Sequence, residues 1–570
     1  MSFAIGRVLA VIVAQVPASP IEGGPPPCDV ALLGGWVYDG SGGAPFVADV
    51  GITGDRISAI GVGKVGPAKL TIDACDLAVA PGFVNMLSWS TESLLVDGRS
   101  LSELCQGVTL EVMGEGTSMG PLNDAMKQEM VELQGDLKYD VTWTTLGEYL
   151  ALLERKGVAC NVASFVGATT VRVHELGQVD RPPTSEELAR MQQLVRDAME
   201  EGALGVGSAL IYAPGFYATT DELVALCQAA APYGGRYISH LRSEGNRWLE
   251  AIDELVEIAR RAKIGAEIYH FKAAGERNWG KVDAAIARIE AARRDGVDGS
   301  SGLDVTANLY TYVAGATGLD AAMPPWVQEG GYKAWAGRMK DPAVRARVKR
   351  EMTTPTDEWE SLYLAAGGAD HVLCAGFRSE ALKPLTGKTL AEIAKLRGTT
   401  PEDAAIDLVI EDGSRVSVVY FLMSEENVRR EITLPWMAFG SDEASMAPEG
   451  DFLKSNCHPR AYGNFARLLG RYVRDEKLVP LAEAIRRLTS FPCGNLKIGE
   501  RGRLAPGFFA DVVLFDPKTI ADHATFEQPH RLSTGVKHVF VNGVQVLKDG
   551  EPTGSRPGRV VRGPGFRASR

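Results

Sequence analysis

A surplus of basic residues, paired cysteines and long apolar runs are all missing from this 570-residue chain. Lys and Arg number 60 against 72 Asp and Glu, a formal net charge of −12. A phosphate-binding surface needs clustered cations, so nucleic acid is excluded as a partner and a small molecule is favoured. The eight cysteines, Cys28, Cys75, Cys105, Cys160, Cys227, Cys374, Cys457 and Cys493, form no Cys-x-x-Cys pair, which argues against a disulfide framework and leaves free thiols. Beyond the first residues no stretch approaches the ~18 apolar residues of a membrane-spanning helix, and no membrane partner is expected. At the start, Met1 to Ala18 holds one Arg, the apolar run Val8 to Ala14 and small residues near Pro17-Ala18, which makes a weak secretory pattern. A cytoplasmic protein is expected, with export as the alternative, and residues 1–27 read as a leader. Histidine is scarce as well, with eight in all.

What is present suits a large enzyme. The length exceeds the size at which one hydrophobic core stops growing, so a main domain with smaller modules is expected. After the Gly/Pro-rich leader come the β-like runs Asp29 to Leu33, Ala48 to Ile52 and Arg56 to Ile60, separated by the turn pairs Gly34-Gly35 and Gly42-Gly43. The far end has the same texture, with Ala510 to Phe515 and Val539 to Val541 before the hairpin pair Asn542-Gly543. Residues 28–80 and 495–560 therefore read as one small antiparallel β module made of both chain ends. The run Gly61-Val62-Gly63-Lys64-Val65-Gly66 fits a dinucleotide fingerprint, but Pro67 and the β-like Leu70-Thr71-Ile72 follow where a helix is required, so it reads as a loop.

Between the two ends, short apolar runs alternate with amphipathic helices. Cys160 to Val166 precedes a helix over Ser185 to Glu201, Arg236 to His240 a helix near Arg247 to Ala262, and Ala266 to His270 a helix over Lys281 to Arg294. Such alternation predicts parallel βα units, and an α/β TIM (β/α)8 barrel over residues 81–494 is the common closed solution. Residues of about 323–408 break the pattern with charged sequence and predict an inserted helical subdomain.

Function is then expected at the carboxyl ends of the strands. His240 and His270 each close a β-like run before a turn and a helix, where two imidazoles can converge on one metal; two hydrogen-bonded core histidines are the bland alternative. His174, His371, His523, His530 and His538 lie in polar or terminal stretches and read as solvated. Asp442 follows the apolar run Trp436 to Phe439, and a carboxylate there can accept a proton from water; alternatively it caps a turn.

At these residues the sequence resembles the D-aminoacylase, or N-acyl-D-amino-acid deacylase, branch of the amidohydrolase superfamily. The matching stretches are Ala80-Pro81-Gly82-Phe83, Gln106-Gly107-Val108-Thr109, Ala213 to Thr220, Ser239 to Gly245, His270 to Gly275, Gly440-Ser441-Asp442, His458 to Gly463 and Arg501 to Gly507, in order from about residue 29 to 550. The resemblance implies a barrel flanked by a β-sandwich of both chain ends and a zinc-dependent removal of an acyl group from a small N-acylated amino acid. It implies that His240 and His270 hold zinc, that Asp442 is the general acid and base, and that Lys272, Tyr310 and Arg460 bind substrate.

Two departures from that pattern stand out. Where the family ends its first barrel strand with His-x-His, this chain has Asn85-Met86-Leu87, and where the family has Gly-Asn-Cys-Gly it has Gly114-Glu115-Gly116-Thr117. Glu115 is the residue there able to replace a thiolate. The expected metal set is thus Glu115, His240 and His270, three ligands with room for water, and one zinc per chain. Hydrolysis of another amide, lactam or ester, and ligand binding without turnover, stay open at this point, as do the acyl group, side chain and chirality of the substrate.

Overall fold

The computed structural model describes residues 25–294 and 302–568. Most of the expected leader, residues 1–24, lies outside the described residues. Eight parallel strands form the centre. Their order is Phe83–Asn85, Val108–Met113, Asn161–Ser164 continued by Val166–Gly167, Gly205–Ala209, Arg236–His240, Gly265–Ile268, Val305–Leu309 and Met437–Phe439. Each pairs with the next along the chain. The last meets the first through Met86 N–H to Phe439 O at 3.1 Å and Asp442 N–H to Leu87 O at 2.8 Å, which closes the barrel. At the interruption in the third strand, Phe165 N–H still reaches Met113 O at 2.9 Å, so the wall stays continuous.

Local chemistry explains the surrounding helices. The helix Ser185–Glu201 begins at a capping box of Thr184 and Glu187 and ends at Gly202 with φ 111°, a conformation that favours glycine. The helix Trp248–Ala262 buries Trp248, Ile252, Leu255 and Ala259, the three- and four-residue spacing of a single apolar face, and Trp248 packs on Phe271 just beyond the sixth strand. Several polar groups inside the barrel are also paired. Glu267 accepts from Asn308 and Thr306 at 2.9 Å each, and Arg236 donates to Thr306.

Both chain ends enter a second, nine-stranded sheet in which Ala78–Pro81 pairs with Val512–Phe515. This sheet is mixed and not purely antiparallel as the turn pairs suggested, because Cys28–Val37 runs parallel to both Ala68–Asp73 and Ala78–Pro81. Beyond it the chain returns to the barrel, with Val162 N–H donating to Arg559 O and Val561 N–H to Val162 O.

Between the seventh and eighth strands lie the expected helices, among them Pro342–Thr353 and Pro401–Asp412. They are joined by a three-stranded antiparallel sheet of Ala314–Gly318, Ser417–Phe421 and Val372–Gly376 that the sequence reading did not anticipate. Gly275 N–H donates to Leu422 O and Met423 N–H to Val313 O, so this insertion is fastened over the ends of the sixth and seventh strands.

Candidate active site

The carboxyl ends of the strands gather the ionisable groups. Glu115 stands two residues past the second strand, His240 ends the fifth, His270 and Lys272 follow the sixth, Tyr310 follows the seventh, and Asp442 lies three residues past the eighth. Arg460 opens the helix Arg460–Arg467. All but Asp442 are buried, and Asp442 keeps only part of its surface open.

Backbone strain helps to aim two of them. His270 has φ 33° and Asp442 φ 53°, the left-handed region that non-glycine residues seldom adopt. Hydrogen bonds hold both in place. His270 N–H donates to the Asn308 side chain at 3.0 Å, and Asp442 N–H to Leu87 O.

One carboxylate sits between two imidazoles. Glu115 Oε1 lies 3.1 Å from His240 Nδ1 and 2.9 Å from His270 Nε2, and the rings cross at 82° with centroids 4.4 Å apart. Each of the three brings one ligand atom within 4.8 Å of the others, a donor set of two nitrogens and one oxygen that suits zinc. On its far side His270 presents Nδ1 to Glu244 Oε1 at 3.0 Å, the carboxylate that orients a ligating imidazole. Burial and Lys272 press the His270 pKa down, but Glu244 and Glu115 prevail and raise it to about 9. Glu115 lies below the usual carboxylate range, since the two histidines outweigh its burial. A proton shared among these groups is one that a dication would displace. His240 is shifted the other way, downward, chiefly by burial.

Asp442 is tied to this cluster through Trp89. The indole Nε1–H reaches Glu115 Oε2 and Asp442 Oδ1, each at 3.1 Å. Arg460 Nη1 stands 2.8 Å from the other oxygen, Oδ2, in ionic contact but out of line for a hydrogen bond. Burial pushes the Asp442 pKa up, and this outweighs the pull of Arg460. The Arg460 guanidinium lies 4.3 Å above the Tyr310 ring, and its Nε and Nη1 have no hydrogen-bond partner among the described residues. Lys272 is engaged differently. Its Nζ donates to Glu244 at 2.7 Å and lies 2.7 Å from His270 Nδ1, so much of its charge is already met by Glu244.

Sequence reasoning missed Trp89 and Glu244. Glu244 stands four residues past His240 in the loop that follows the fifth strand, a spacing that was a usable signal, whereas the double contact of Trp89 depends wholly on barrel closure. His538, expected to be solvated, is buried against Asp549 N–H and Gln545. A cavity of about 530 Å³ lined by Arg242, Glu250 and Glu360 includes none of the clustered residues, so volume does not mark this site.

With this geometry in view, the model of the amidohydrolase family matches residues 70–547. The chain belongs to that family. Among the amidohydrolases it is similar to, D-aminoacylase of Alcaligenes xylosoxydans xylosoxydans is 31% identical over 94% of this chain and 98% of its own length. N-acyl-D-glutamate deacylase of the same organism is 32% identical over 94% and 96%. The solved structure of N-acyl-D-glutamate deacylase from Bordetella bronchiseptica, with zinc and a phosphonate mimic of the tetrahedral intermediate, is 30% identical with a TM-score of 0.77, covering 94% of this chain and all of that one. This amidohydrolase therefore shares the metal-dependent, amide-cleaving class of its relatives, acts on a small molecule, and has the barrel fold expected of the family. Among its described residues no helix is long and apolar enough to cross a membrane.

Within this amidohydrolase, the first barrel strand departs from a ligand role in physical detail. The side chain of Asn85 is fully used. Its oxygen accepts from Leu87 N–H at 3.2 Å and Ser441 N–H at 2.8 Å, and its nitrogen donates to Glu103 at 3.0 Å and Ser441 Oγ at 2.7 Å. Asn85→Leu strips two buried N–H groups of their acceptor and is expected to cost about 2–4 kcal/mol, read as a lower urea midpoint at unchanged slope.

Proposed function

We propose that this chain removes the acyl group from an N-acyl-D-amino acid, with one zinc held by Glu115, His240 and His270 and with Asp442 as general acid and base. When bound, zinc acidifies water and stabilises negative charge on the amide oxygen. The protein's own groups do the rest. Asp442, its proton affinity raised by burial, takes a proton from the attacking water and passes it to the leaving amine. Trp89 fixes one oxygen of that carboxylate and leaves the other toward Arg460. Arg460 holds the substrate carboxylate over Tyr310, and Lys272 adds positive charge from behind; they contribute through positioning.

The observation that carries this reading is a buried Arg460 whose Nε and Nη1 make no hydrogen bond, Nη1 having only its ionic contact with Asp442, beside a cluster of metal-type ligands. A buried guanidinium with free N–H groups calls for a planar anion, and the carboxylate of an amino acid is one. The single zinc is supported by the full engagement of Asn85 and by Leu87, which has no donor atom to offer.

A panel of N-acetyl D- and L-amino acids, with their carboxamides as neutral controls, tests the proposal on zinc-loaded protein. Turnover is expected for D-amino acids carrying a free carboxylate. Turnover confined to neutral amides or lactams, or none at all, would remove the deacylase reading. Arg460→Ala is expected to lower kcat/KM by roughly ten- to hundredfold on the carboxylate substrate and far less on its carboxamide. Equal losses on both would place Arg460 outside the substrate contact.

A further inference from the structure

A cavity of about 330 Å³ shares Trp89 with the cluster, and its other lining residues have no part in the reading above. Trp89 is its wall on the side of the site, and Met119, Met130, Leu137, Met446 and Phe452 supply its apolar surface. Two further lining residues, Thr117 and Ala444, come two positions after Glu115 and Asp442 along the chain. The lining has no Lys or Arg, and its one carboxylate, Glu92, already accepts from Tyr139 at 2.7 Å.

We propose that this cavity is the acyl-chain subsite and that the preferred acyl group is an uncharged aliphatic chain longer than acetyl. The inference rests on the deacylase reading and gives it a substrate class. Trp89 and Arg460 contact different oxygens of the same carboxylate, Oδ1 and Oδ2 of Asp442. A substrate held by its carboxylate at Arg460 must bring its amide carbon to Asp442 and Glu115. The group bonded to that carbon is the acyl chain, and the next surface it meets is the Trp89 face and the cavity behind. The amino-acid side chain branches from the carbon that bears the carboxylate and so stays on the Arg460 side. Without a cation in the lining, an acidic acyl group such as succinyl has nothing to offset its desolvation.

The test is a chain-length series on one D-amino acid, from acetyl through butanoyl and hexanoyl to octanoyl, with succinyl as the charged control. For each methylene buried, kcat/KM is expected to rise roughly two- to fourfold until the cavity is filled, so that hexanoyl exceeds acetyl by at least about tenfold. Met446→Trp fills the cavity and is expected to bring the hexanoyl-to-acetyl ratio close to unity. Met130→Glu, on the partly exposed helix Asp124–Leu133, puts a charge there instead and is expected to flatten the same series if the tryptophan variant does not fold. Hydrolysis of every member without a chain-length preference, or a ratio that neither variant changes, overturns the subsite and leaves the deacylase standing. No hydrolysis of any member overturns both.

Discussion

Asp442→Asn is expected to keep its zinc and to lose roughly 10²- to 10⁴-fold in turnover, the cost of removing a general acid and base. The substitution is selective for physical reasons. Asparagine tolerates the left-handed backbone at φ 53° about as well as aspartate, so the loop retains its course. An amide oxygen at the position of Oδ1 still accepts from Trp89, and Asp442 is not among the three clustered ligands. The capacity to take a proton is lost, and with it the ionic contact of Oδ2 with Arg460. Zinc per chain measured by atomic spectroscopy, beside kcat on the same preparation, separates the two effects. A zinc-loaded variant that turns over at nearly the parent rate would take Asp442 out of the mechanism.

Glu115→Gln is the complementary case. Here the metal itself is expected to go, because a neutral amide is a poor ligand and two imidazoles alone do not make the three-ligand set of a catalytic zinc site. The side chain keeps its shape and an acceptor for Trp89, so the barrel is expected to stay folded. Losing the stabilisation of charge on the amide oxygen, worth several kcal/mol, corresponds to roughly a thousandfold or more in turnover. Zinc content after dialysis should fall from one per chain toward zero while the circular dichroism spectrum is kept. Full zinc retention in this variant would mean that the ion binds elsewhere.

The barrel was legible because its strand-helix units are strongly patterned. The helix over Ser185 to Glu201 has a capping box at one end and a glycine at the other, and Arg236 to His240 is a fully buried strand that ends on a histidine. A histidine in that position is conspicuous from sequence alone, and Asp442 after Met437–Phe439 is conspicuous in the same way. The three-stranded sheet in the insertion was not legible. Its first strand reads Ala-Gly-Ala-Thr-Gly, with little β-branched character, and the others are separated from it by stretches of charged helix, so their pairing is settled by tertiary contacts. Trp89 escaped for a related reason. It follows the first strand as an ordinary aromatic, and only closure against the eighth strand brings its indole to both Glu115 and Asp442. The loss of His-x-His at Asn85 and Leu87 was visible, but that Asn85 had become a fully bonded bracket for Ser441 was not.

The central claim is that one zinc on Glu115, His240 and His270 supports cleavage of an N-acyl-D-amino acid. Its most direct test is a titration of the chelator-stripped protein with zinc, following hydrolysis of such a substrate at each step. The account predicts activity that rises in proportion to added metal and reaches its plateau at one equivalent per chain. A plateau reached only at two equivalents, or activity that is indifferent to zinc, would contradict it.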